Sequence, residues 1–76
     1  MNGEFNHRHL RMSWTFQRDA EANGNQWVLE VRVGDIGVNR RFPELLSVDK
    51  AQQEAEGIAP ELFKIAEAWM TKSNDG

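Results

Sequence analysis

The sequence predicts an α+β domain: a three-stranded antiparallel β-meander packed on one face by a C-terminal helix that is kinked or broken near Pro60. Three observations carry this. Leu10 to Gln17 and Trp27 to Val33 alternate apolar and polar residues with the period of two that half-buried strands show. Beyond Pro43 the apolar residues return every three or four positions, as on one side of a helix. Between the strands stand Asn23-Gly24, which turns a chain tightly because both residues accept positive φ cheaply, and a second turn formed either by Gly34-Asp35 or by the four residues Gly34 to Gly37.

Residues 1–9 contain Gly3 and two Asn and hold no sustained period, so they read as a flexible N-terminal arm. The domain then spans 10–72. In the first strand Leu10, Met12, Trp14 and Phe16 share one side, with Arg11, Ser13, Thr15 and Gln17 on the other. A turn at Asn23-Gly24 sets Phe16 opposite Val31 and Trp14 opposite Val33. Trp27 to Val33 is the strongest strand signal and the expected centre of the sheet. A third strand, roughly Gly37 to Phe42, is weaker. Arg40 falls on its inward side, so it must snorkel at the sheet margin, or a bulge must turn it out. Pro43 ends the sheet region.

Ser47 is the expected N-cap of the helix, with Asp49 in the first turn. Ala51, Ala55, Ile58, Leu62, Ile65 and Trp69 form its apolar stripe, widened by Ala59, Phe63, Ala66 and Met70. Gly57 and Pro60 predict an interruption, with Pro60 opening a second helical piece. Residues 73–76 read as a disordered tail. The predicted core is Met12, Trp14, Phe16, Trp27, Leu29, Val31, Val33, Val38, Phe42, Ile58, Leu62, Ile65, Ala66 and Trp69.

Seventy-six residues with three Trp, four Phe and no cysteine allow one small core and no disulfide or thiolate metal site. No apolar stretch approaches membrane-spanning length, and the first ten residues do not resemble a signal peptide, so a cytoplasmic location is expected. The formal charge of −3 opposes nonspecific binding to nucleic acid. It divides unevenly: residues 1–42 carry six Arg and five acids, and residues 43–76 carry three Lys and seven acids.

The spacing assigns no catalytic residue, metal ligand or cofactor. His7 and His9 would share one side of an extended strand, but only Glu4 lies near enough in sequence to add a ligand, too few for a protein metal site. No nucleophile stands in spacing with a base, and no phosphate-cradling glycine loop occurs. The run from Trp27 to Ala59, with Ser47-Val48-Asp49-Lys50-Ala51-Gln52-Gln53-Glu54-Ala55 opening the helix, resembles the second half of a double-stranded RNA-binding domain. That family would place a Lys-Lys pair and a further Lys at the helix start, where only Lys50 is present beside Asp49, and its first helix has no counterpart. The strand order also resembles the arm-binding domains of phage-type integrases.

The leading functional expectation is a small acidic protein-binding module without enzymatic activity, of the kind phages and mobile elements use to occlude host machinery. Its contact residues would be Glu54, Glu61 and Glu67 on the helix and Glu30 on the sheet. Nucleic-acid binding by the outer sheet face is the alternative, through Arg11, Arg32, Arg41 and Lys50. An ordinary solvated face would instead pair Glu30 with Arg41 across strands or with Arg32 beside it. Exposed sheet edges add a further expectation, a homodimer.

Overall fold

The computed structural model describes residues 1–19 and 26–74. Strands β1 (Asn2–His7), β2 (Leu10–Arg18), β3 (Trp27–Val33) and β4 (Ile36–Phe42) form one antiparallel sheet in sequence order, and helix α1 (Val48–Asn74) follows. The fold is therefore α+β, with four strands where the periodicity predicts three. The expected flexible arm is instead an edge strand, paired from Asn2 opposite Thr15 to His7 opposite Leu10. Its pattern is obscured because Gly3 and His7 occupy two of its three inward positions, with Phe5 between them.

Gly3 is there for a physical reason. A Cβ built on it would lie 2.6 Å from Trp14 Nε1 and 2.8 Å from the adjoining ring carbon. Trp14 is 1% exposed, and its indole N–H donates to Gln52 Oε1 at 2.6 Å, so the ring has nowhere to retreat.

The β2–β3 ladder pairs Trp14 with Val31 and Phe16 with Leu29. This corrects the predicted register by two residues while keeping its parity, so the same side chains face inward. Asp19 N–H donates to the Gln26 carbonyl at 2.9 Å beyond the last pair, and the predicted Asn23-Gly24 turn lies outside the described residues. Between β3 and β4 the chain reverses through Gly34-Asp35, with Gly34 at φ 59°. A side chain there would be strained, which explains glycine at that position. The β1–β2 turn places Arg8 at φ 57°, a backbone cost of about 1–2 kcal/mol for a non-glycine residue. Its guanidinium stacks over the Phe63 ring at 4.8 Å, a contact of about 0.5–1 kcal/mol that offsets part of that strain.

Arg40 takes the snorkelling alternative. The β3–β4 register runs unbroken through Leu29 opposite Arg40, so no bulge turns it out, and its head reaches Glu61 of the helix at 3.9 Å.

The helix starts where expected, with Lys50 N–H donating to Ser47 Oγ at 3.2 Å. It does not break at Pro60. Residues 48–74 form one helix with Pro60 inside it, so Ser73 and Asn74 are helical as well, and residues 75–76 lie outside the described residues. Pro60 and Gly57 are both exposed, away from the sheet. The carbonyl that Pro60 leaves without its helical donor belongs to exposed Glu56, where water can satisfy it. Ile58, Ala59, Leu62 and Phe63 meanwhile stay packed on the core, holding the two halves in line.

The core lies between the sheet and α1: Met12, Trp14, Phe16, Leu29, Val31, Ala51, Ala55, Ile58, Ala59, Leu62, Phe63 and Ala66 are buried. Trp27, Val33, Val38 and Phe42 flank it half-buried, with Phe16 stacked on Trp27 at 5.6 Å. Two predicted core residues are corrected: Ile65 is 44% and Trp69 60% exposed.

The two glycines with contrasting surroundings give mutations of opposite sign. Gly3→Ala is expected to destabilise the domain by about 1–3 kcal/mol through overpacking against Trp14. Gly57→Ala meets nothing within 4 Å on an exposed helix face and is expected to stabilise by about 1 kcal/mol. Urea unfolding of both variants beside the parent checks the pair.

Candidate protein interface

Trp69 lies beside the end of the sheet formed by Leu10, Val33 and Ile36, three residues past Ala66, which is still buried. Ile65 lies one turn earlier, on the flank of the helix above β4. Together with Asp35, Ile36 and Gly37 they line an apolar groove of about 340 Å³ at the start of β4. A second hollow of about 220 Å³, lined by Leu10, Val33, Ala66 and the other side of Trp69, adjoins it. The result is an open apolar corner formed by the end of the helix and the β3–β4 turn.

The residues expected to bind a protein do not gather at one place. Glu54 meets Lys50 at 3.9 Å, one turn apart on the helix, and Glu61 meets Arg40 at 3.9 Å on the β4 side. Glu67 lines a different hollow with His7, Arg8, Phe63 and Lys64 on the β1 side. Glu30 is on the opposite face of the sheet, 3.7 Å from Arg32. Of these acids, Glu61 stands nearest the apolar corner, one helical turn before Ile65.

The candidate nucleic-acid contacts Arg11, Arg32 and Arg41 do share the uncovered outer face, but each has a carboxylate beside it. Arg11 Nε donates to Glu4 Oε2 at 3.0 Å, Arg32 pairs with Glu30, and Arg41 pairs with Asp19. Lys50 is on the helix and contributes nothing to that face. The cross-strand position opposite Arg41 is Val28, so of the two pairings open to Glu30 by parity the one with Arg32 forms.

His7 and His9 both set their rings edge-on to Phe63, at 5.5 and 5.6 Å. Glu4 points to the other face of β1, toward Arg11, so it does not join them. Among the described residues no group of three or more His, Asp or Glu is placed to hold a metal ion.

Sequence reasoning misses the apolar corner because it reads Ile65 and Trp69 by helical phase alone. Phase alone does not say where the sheet beneath the helix ends. Comparisons with protein-family models, with curated proteins and with solved structures find no match for this chain. The likeness to double-stranded RNA-binding and integrase arm-binding domains thus rests on element order alone.

If Trp69 sits outside the core, its removal should cost little. Trp69→Ala is expected to change unfolding free energy by less than about 0.5 kcal/mol, against about 3–5 kcal/mol for Trp14→Ala. Chemical denaturation followed by far-UV circular dichroism compares them directly.

Proposed function

We propose that this chain is a small non-enzymatic protein-binding module whose contact surface is the apolar corner of Ile36, Ile65 and Trp69. The observation that carries this is Trp69, 60% exposed on the helix beside Ile65 and Ile36. A large aromatic held on a rigid element at low entropic cost is the residue type that dominates protein interfaces. Leaving it in water gains nothing for folding. Glu61 and Asp35 supply charge at the rim, where it steers encounter more than it adds affinity. Such a module acts by occupying a surface on another protein, the mode in which small occluding inhibitors work.

Nucleic-acid binding through the outer sheet face is the competing reading. It is less favoured because Glu4, Glu30 and Asp19 compensate the three arginines, which weakens the field a phosphate backbone would meet.

Two measurements separate the readings. Binding to a protein partner is expected to weaken roughly thirtyfold in Trp69→Ala, as for an interface hot spot, with folding unchanged. Mixed DNA and RNA are expected to bind weakly in a salt titration. Tight binding with a steep salt slope that disappears in Arg32→Ala plus Arg41→Ala would replace the protein-binding reading.

A further inference from the structure

We propose that the apolar corner is covered by a second copy of this chain, through antiparallel pairing of β4 with β4 that extends the sheet across a two-fold axis at Asn39. This rests on the protein-binding reading above and names the partner.

The sheet has two edges, β1 and β4. On the helix side, Phe63 packs beneath His7 at the C-terminal end of β1 and beneath Arg8 and His9 of the turn that follows it. The start of β4 is open on that side, at the groove of Ile36, Ile65 and Trp69. An added strand at β4 therefore gains apolar burial as well as main-chain hydrogen bonds.

Backbone geometry limits how a second β4 can pair. Ile36 flanks a two-residue turn opposite Val33, so Ile36, Val38, Arg40 and Phe42 direct their N–H and C=O groups to β3. Gly37, Asn39 and Arg41 direct theirs outward. Two outward sets meet over the whole strand when Asn39 faces its own copy and Gly37 faces the second copy's Arg41, forming about six main-chain hydrogen bonds. Moving the axis toward the C-terminus by one residue would set Arg40 against Arg40, and by two would set Arg41 against Arg41, both repulsive. In the Asn39-centred register Arg40 faces Val38, so no arginine directly opposes another.

The same register matches the exposed apolar residues. Ile36 comes to lie opposite the second copy's Phe42, on the helix side of the joined sheet. Ile65 and Trp69, which line the groove beside Ile36, then stand next to the second copy's Phe42 and occur in this isologous contact twice.

The chain contains no cysteine, so a single engineered thiol gives a clear test. Asn39→Cys is expected to form a disulfide-linked dimer on mild oxidation, because facing hydrogen-bonded residues have Cα atoms about 5.5 Å apart. Thr15→Cys, on an inner strand, is expected to stay monomeric under the same treatment. Sedimentation equilibrium of the unmodified chain should show a monomer–dimer equilibrium whose dissociation constant rises at least roughly tenfold in Trp69→Ala. Asn39→Pro, which removes an outward donor from an edge strand, should abolish the dimer with the circular dichroism spectrum intact. A parent chain that is monomeric at every concentration overturns the proposal but leaves the protein-binding reading standing if Trp69→Ala still loses another partner. A dimer that survives Asn39→Pro, or an Asn39→Cys chain that fails to cross-link, also overturns it.

Discussion

The contact on which the rest of the structure depends is the buried indole of Trp14, held between Gly3 on one side and Gln52 on the other. It joins β1, β2 and α1 at one point. A buried indole N–H without an acceptor costs on the order of 1–3 kcal/mol, so Gln52 must face the sheet at this level of the helix. That fixes the rotation of α1 at its N-terminal half. The close approach of the ring to the backbone of β1 admits only glycine there, and it makes the fourth strand dependent on the identity of one residue. Gln52 is itself held by its amide, which donates to Glu56 Oε2 at 3.0 Å one turn later.

Once α1 is anchored at Gln52, its course over the sheet follows from rigidity. The helix continues through Gly57 and Pro60 because both lie on the solvent side, where neither removes a packing atom and the freed carbonyl is wet. The continuous helix sets Ile65 and Trp69 beside the β3–β4 turn, where they line the apolar corner.

Much of this is legible in the residues. Alternation identifies β2, β3 and the faces of their side chains, and parity protects those faces from an error of two residues in register. Helical phase finds the N-cap and most of the buried stripe. What alternation does not reveal is β1, since glycine and histidine at inward positions carry no apolar signal, and the reason for the glycine is a tryptophan eleven positions away. Local propensity at Pro60 also misleads: it prices the lost hydrogen bond without knowing which side of the helix faces water. For the site, the arginines and acids are legible as surface residues, but their pairing is tertiary. Arg41 finds Asp19 across the sheet, and Arg11 finds Glu4 on a strand that the pattern does not show.

These pairings decide how the surface divides. On the outer sheet face three arginines are each met by a carboxylate, and on the helix Glu54 and Glu61 are met by Lys50 and Arg40. Exposed pairs of this kind contribute little to stability, about 0–1 kcal/mol each, but they cancel the local fields that would attract a charged ligand. Paired charges are therefore spread over the described surface, whereas Ile65 and Trp69 expose apolar surface together beside the start of β4. A hydrophobic corner of this kind selects by shape and strand pairing more than by charge. Recognition of that kind suits a partner that presents an edge strand and its own apolar end, and β4 of a second copy presents both.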